Sequence, residues 1–129
     1  MSGVELVEKQ INEPNVNEIL IKVKAASVNF PDLLMTQGKY QHKPDLPFGL
    51  GMEGAGIVQS IGSDVSKVKE GDEVTFGALG KGAFTELICV NENSVEIKPS
   101  NLNFEQAAAF QTAYLTAYVS LVRRGELKT

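Results

Sequence analysis

Between residues 54 and 98 the chain alternates short apolar, β-branched runs with glycine-rich turns. The runs are GAGIVQSIG (54–62), DEVTFGA (72–78), AFTELICV (83–90) and SVEIK (94–98), with turns such as GSDVSKVKEGD and GKG between them. Upstream, EILIKVKAASV (18–28) alternates like a half-buried strand, and VELVE (4–8) is a weaker candidate. Short strands separated by such turns predict a mainly β domain, an antiparallel barrel or sandwich.

Helices are predicted on either side of these four strands. PDLLMTQ (31–37) begins with Pro31, a residue typical of the first helical position, and Gly38 closes the helix. Further on, Asn103 and Gln106 have the spacing of a capping box, and a second helix, TAYLTAYVSLVRR (112–124), ends near Gly125. Apolar side chains cover most of this last helix, so we expect it to need cover from another element.

The stretch GLGMEG (49–54) has the glycine spacing of a dinucleotide-binding loop, with the acidic pair Asp72 and Glu73 at about the right distance for a ribose contact. That loop needs a strand before it and a helix after it. Here Pro44 and Pro47 precede the glycines and a predicted strand follows. The flanks are inverted, so the sequence predicts a turn that enters a strand.

Composition excludes several classes of function. The net charge is −4 with scattered Lys and Arg, which gives no nucleic-acid surface, and no apolar run approaches the roughly 18 residues of a membrane span. The single cysteine and the single histidine cannot build a closed zinc site, so we predict no metal. We interpret Cys89 as a small core residue and His42 as solvated, and a lone cysteine fits a reducing, cytoplasmic setting.

Four polar residues lie beside apolar segments: Asn29, Asp32, Tyr40 and Thr116. Taken singly, Asn29 and Asp32 are typical helix caps, and Thr116 is typical of a helix threonine bonded to its own backbone. Composition and spacing assign them no further role.

The order of several blocks, however, resembles a known family. KVKAASVNFPDLLMTQGKY, LPFGLGMEGAGIVQSIG, GAFTELICV and FEQAAAFQTAYLTAY resemble the N-terminal half of zinc-free medium-chain dehydrogenases/reductases, especially the quinone oxidoreductases related to zeta-crystallin. The resemblance implies that residues 1–129 form a GroES-like antiparallel β-barrel, the catalytic domain. Residues from about 103 to 129 would be the helical connection to an absent Rossmann domain.

The same resemblance implies chemistry. The full-length enzyme would transfer hydride from NADPH to a quinone or activated enone without zinc, because Asn29 and Met52 stand where the zinc-dependent relatives carry Cys and His. Asn29, Asp32 and Tyr40 would line the cleft near the ribose and the acceptor, and Thr116 would bond the nicotinamide carboxamide. Leu34 and Thr36 replace a Tyr and an Arg found in many quinone oxidoreductases, which makes the cleft less polar.

Without its nucleotide-binding domain, the chain is expected to be inactive and to bind NADPH weakly. Two alternatives stay open at this point. One is a stand-alone GroES-like interaction module, and the other is a fragment of a vesicle amine transport-like or enoyl reductase branch. Oligomers are common in the family, so a homo-oligomer is also expected.

Overall fold

The computed structural model describes residues 3–128 and contains one five-stranded antiparallel sheet with three α-helices. The strands are β1 (Glu18–Ala26), β2 (Glu53–Ile61), β3 (Glu73–Gly77), β4 (Leu87–Asn91) and β5 (Val95–Ile97). The helices are α1 (Phe30–Thr36), α2 (Phe104–Ala108) and α3 (Gln111–Tyr118), and α3 continues as a π-helical segment, Val119–Arg124. The predicted mainly β class is confirmed.

The sheet is rolled rather than flat. Its strand order is β4-β1-β2-β3-β5, so β4 and β5 are its two edges. In a flat sheet these edges would lie about 19 Å apart, at about 4.8 Å per strand. A single 3-10 turn, Glu92–Ser94, joins them, and the chain from Asn91 to Val95 reaches at most about 14 Å. The two edges must therefore curl towards each other, as in a barrel.

One core fills the inside of the rolled sheet. It is built from alternate residues of each strand, which point to the same face. Its largest fully buried members are Ile19, Ile21, Val58, Val74, Phe76, Val90 and Val95. On another side, α2 packs against the sheet through small side chains: Ala107 and Ala108 contact Ala55 of β2. Alanines let the helix backbone approach the strand closely, which places the start of α3 over the sheet.

Three local predictions at the helix ends are confirmed. Asn103 accepts from the Gln106 backbone N–H at 2.8 Å, and Gln106 Oε1 accepts from the Asn103 N–H at 3.1 Å. Gly38 follows α1 with a φ of +64°, the left-handed conformation that closes a helix. The long last helix ends at Gly125.

The predicted strand over residues 4–8 is wrong. This segment has no regular structure, and the Leu6 side chain is fully exposed. Alternation of Val4, Glu5 and Leu6 satisfies a strand locally, but no neighbouring strand pairs with the segment within the described part of the chain. A strand without a ladder partner leaves its backbone hydrogen bonds to water.

Candidate functional site

Asp32 joins the first turn of α1 to the glycine stretch. Its Oδ2 accepts from the Asn29 backbone N–H at 2.8 Å, and its Oδ1 accepts from the Gly51 N–H at 3.1 Å. The side chain is buried, with 4% of its surface exposed. The capping role expected from the sequence is therefore present, and a second bond to Gly51 adds to it.

The glycine stretch is a crossing point between two loops. Gly51 has a φ of +98°, and a Cβ built on it would lie 2.9 Å from the Ala83 backbone nitrogen. Backbone bonds fix the crossing: Ala83 N–H donates to the Gly51 carbonyl at 2.9 Å and Phe84 N–H to the Leu50 carbonyl at 3.0 Å. The stretch then enters β2 directly, as the sequence predicted, so these glycines serve a close backbone approach.

Glu53, the first residue of β2, lies at the centre of the site. Its Oε1 accepts from Ser27 Oγ at 2.6 Å and from Asn29 Nδ2 at 3.0 Å. Asn29 Nδ2 also donates to Ser27 Oγ at 2.9 Å. The other carboxylate oxygen of Glu53, Oε2, accepts from the backbone N–H of Thr112 at 2.9 Å. One buried carboxylate thus connects the loop before α1 with the first turn of α3.

A second bond holds the start of α3 on the sheet. Gln111 Nε2 donates to Thr75 Oγ1 of β3 at 3.3 Å, beside the bond between Thr112 and Glu53. Thr75 is itself buried. The first turn of α3 is therefore fixed at two neighbouring positions, while the rest of the helix extends away from the sheet.

Thr116 lies one turn beyond Thr112 on α3 and is exposed. With Leu115, Val119 and Ser120 it lines a shallow depression on the helix surface. Two apolar side chains and two hydroxyls are suited to a flat, weakly polar ring with a hydrogen-bonding edge.

Tyr40 lies in the loop after α1 and is half-buried. In the described residues, the side-chain hydrogen bonds of Asn29 and Asp32 go to other partners than Tyr40. The structure thus brings Asn29 and Asp32 together and connects them through Glu53 to the helix of Thr116. It leaves Tyr40 outside that network.

Comparison with known families identifies this arrangement. Residues 15–100 match the alcohol dehydrogenase GroES-like domain. The chain belongs to this family.

Several relatives are similar to this GroES-like domain over nearly all of its length. Quinone oxidoreductase 1 of Escherichia coli K12 is 38% identical over 125 residues, which are 97% of this chain and 38% of that protein. The solved structure of the human synaptic vesicle membrane protein VAT-1 homolog-like protein superposes with a TM-score of 0.88 at 35% identity, covering 96% of this chain and 39% of the other.

One similar solved structure contains a cofactor. Escherichia coli quinone oxidoreductase complexed with NADPH gives a TM-score of 0.81 at 37% identity, covering 92% of this chain and 36% of that one. In each of these three comparisons, the GroES-like domain described here spans less than two fifths of the other protein.

The interpretation of Cys89 as a core residue is wrong. Cys89 lies between the buried Ile88 and Val90 of β4, so its side chain points to the other face of the sheet, where it is only partly buried. Its thiol lies 3.6 Å from the carbonyl of Asn12 in the N-terminal segment. Burial, and then the negative charge of Glu18, raise the pKa of the Cys89 thiol.

A surface ion pair lies on the same face as Cys89. Lys81 Nζ lies 2.7 Å from Glu18 Oε1 and donates to the Cys89 carbonyl at 3.0 Å. Asn15 Nδ2 donates to the other Glu18 oxygen at 2.6 Å. The bond from Lys81, followed by that from Asn15, lowers the pKa of Glu18 below the 4.5 of a free glutamate.

No three His, Cys, Asp or Glu side chains of residues 3–128 are grouped so that they could hold a metal ion together. Across the same residues, no helix has the length and apolarity to cross a membrane. His42 is exposed, as predicted, and its ring packs beside Gly80.

Sequence reasoning missed Glu53, Ser27 and Thr112 as members of the site. A signal for Glu53 was available, because a single carboxylate stands at the start of the apolar, small-residue run EGAGIV. A charge that enters a buried strand is expected to have dedicated partners. The partners themselves come from segments before and after it in the chain, so spacing could not identify them.

Proposed function

We propose that this chain is the catalytic domain of an NADPH-dependent oxidoreductase that reduces a quinone or an activated enone without zinc. The observation that supports this most directly is the similarity to the quinone oxidoreductase solved with NADPH. Asn29 and Met52, at positions where zinc-dependent members of the resembled family carry ligands, support the zinc-free part of the proposal.

A nucleotide-binding domain outside this chain would complete the site in the full-length protein. NADPH supplies the hydride when it is bound. In this proposal the exposed Thr116 hydroxyl bonds the nicotinamide carboxamide, and the apolar depression around it holds the ring. Asn29, whose two amide hydrogens are used within the protein, offers a ligand its side-chain carbonyl oxygen as an acceptor. The proposal keeps Tyr40 at the edge of the cleft and gives Asp32 the task of shaping the loop.

The protein orients the reactants and excludes water rather than supplying a strong acid or base. Val28 and Phe30, which flank Asn29, are 81% and 69% exposed and provide apolar cover for the acceptor. In the absence of the nucleotide-binding domain, we expect this chain to bind NADPH with a dissociation constant above about 1 mM and to be inactive. A homo-oligomer in the cytoplasm is the setting that we propose.

The direct test is NADPH oxidation by the full-length protein with a quinone and with an enone. Thr116→Val should raise the KM for NADPH by about 2- to 10-fold, the contribution of one hydrogen bond. Ser66→Ala, which removes an exposed hydroxyl in the loop between β2 and β3, is the control and should leave the KM unchanged. An unchanged KM in Thr116→Val would remove Thr116 from the cofactor site.

A second candidate is a function like that of the VAT-1-related proteins, supported by the TM-score of 0.88. Turnover of neither acceptor by a full-length protein that binds NADPH would favour this second candidate.

A further inference from the structure

Glu53 has a buried carboxylate whose partners are all hydrogen-bond donors. It is 3% exposed, and it accepts from a hydroxyl, an amide and a backbone N–H at 2.6, 3.0 and 2.9 Å. An ionised carboxylate is acceptor-only and satisfies such a set completely. A neutral side chain of the same shape cannot do so.

No cation balances this charge in the described residues. The ion pairs of residues 3–128 use the carboxylates of Glu96, Glu18 and Glu73. A buried carboxylate without a cation is costly for folding, whereas an apolar residue at the same position would carry no such cost. The carboxylate must therefore contribute something that packing alone does not provide.

We infer that Glu53 is a positioning residue, which fixes the amide of Asn29 and the first turn of α3 relative to each other. The inference rests on the proposed function, in which Asn29 and Thr116 contact the ligands from the two sides of the cleft. Glu53 itself touches neither cofactor nor acceptor in this arrangement.

The two carboxylate oxygens of Glu53 hold different segments of the chain. Oε1 holds the Asn29 amide together with Ser27, so both amide hydrogens have fixed partners. Oε2 holds the N–H of Thr112, and Thr116 follows on the same face about 6 Å further along the helix axis. A shift of Glu53 would therefore change the distance between the acceptor side and the cofactor side of the cleft.

Glu53→Gln tests this with almost no change in volume. If the glutamine oxygen faces Ser27 and Asn29, its NH₂ group faces the Thr112 N–H, and two donors oppose each other. If the glutamine is flipped, its NH₂ group faces the Asn29 amide with the same result. In either orientation, one of the two segments, the loop of Asn29 or the first turn of α3, loses its hydrogen bond to residue 53.

The experiment compares Glu53→Gln with Glu96→Gln in the full-length protein. Glu96 is an exposed glutamate on β5, so its variant is a matched control for the loss of a carboxylate charge. We expect Glu53→Gln to lower kcat by about 10- to 100-fold, since small misplacements of reacting groups have effects of this size. Amide hydrogen exchange at Thr112 or in the Asn29 side chain should accelerate, and Glu96→Gln should change neither quantity.

A lower kcat with unchanged exchange at both Thr112 and Asn29 would overturn the inference, because Glu53 would then act by another route. Wild-type kcat in Glu53→Gln would overturn it as well. If the wild-type protein reduces neither acceptor, the proposed function fails, and hydrogen exchange still decides whether Glu53 positions the two segments.

If Glu53→Gln does not fold, Ser27→Ala tests the same inference. It removes one donor to Oε1 and the acceptor of one Asn29 amide hydrogen, and it leaves the bonds that Glu53 accepts from Asn29 and Thr112 in place. We expect faster exchange of the Asn29 side-chain amide, an unchanged Thr112 amide, and a kcat reduced by about 2- to 10-fold. An Asn29 amide that exchanges at the wild-type rate in Ser27→Ala would contradict the inference.

Discussion

The two oxygens of Asp32 connect segments of the chain that local sequence gives no reason to join. One oxygen caps α1 at Asn29, and the other bonds the N–H of Gly51 at the turn into β2. Because Asp32 is buried, water cannot replace either bond if the carboxylate is lost. The residue therefore holds the loop that carries Asn29 against the strand that carries Glu53.

Asp32→Asn should lower the free energy of unfolding by about 1 to 3 kcal/mol, because the new NH₂ group would face a backbone N–H. Urea denaturation measures this change. Asp45→Asn, in an exposed loop, is the control and should stay within about 0.5 kcal/mol of wild type. A similarly small change in Asp32→Asn would mean that the loop has other anchors of equal strength.

Glu18 gives a pH-dependent contribution to stability. Its pKa is lowered in the folded protein, so its favourable contribution is present above the unfolded value of 4.5 and is lost as the pH falls through the lower folded pKa. We expect the wild-type protein to lose more stability on acidification below pH 4.5 than Glu18→Gln does. Thermal melts across this range measure the difference, and parallel curves for the two proteins would contradict the assignment.

At the scale of single elements, the glycine stretch combines a positive φ with a close backbone contact. Gly51→Ala places a methyl group 2.9 Å from the Ala83 nitrogen and strains a φ of +98°. We expect it to cost more than about 1 kcal/mol of unfolding free energy. Gly77→Ala is the matched control, since a Cβ there has no neighbour within 4 Å. Equal stabilities of the two variants in denaturant titrations would show that the crossing can relax.

Elements with a local signal could be predicted from the sequence, and contacts between distant segments could not. The Asn103–Gln106 cap lies within four residues, and each of β1 to β5 has its own apolar pattern and turn. The site depends instead on Ser27, Glu53 and Thr112, which come from three separate segments. Cys89 shows a further limit, because alternation along β4 predicts two faces without telling which one is the core.

At the scale of the whole molecule, the last helix is left uncovered in this chain. Tyr114, Leu115 and Tyr118 are 63%, 59% and 51% exposed, and the predicted need for cover agrees with this exposure. Tyr114 stacks on Phe110 with ring centroids 4.7 Å apart, which extends the apolar surface towards the start of α3. Such a contiguous surface favours association.

We expect this chain to self-associate as its concentration rises. The double variant that combines Leu115→Glu with Tyr118→Glu should abolish this association. Sedimentation velocity over a concentration series measures it. Leu46→Glu is the control, because Leu46 is 84% exposed and lies in the loop between α1 and β2. Sedimentation of the double variant identical to that of wild type would show that this surface drives no association.

The strand order also determines when the protein can fold during its synthesis. β1 leaves the ribosome first, yet it lies in the interior of the sheet and needs β2 on one side and β4 on the other. Ile19 pairs with Ile61 and with Val90, so it waits for both while later segments are translated. Ile19 and Ile21, fully buried in the finished sheet, therefore stay uncovered until β4 has emerged. During that interval this part of the nascent chain is the one that a chaperone would bind.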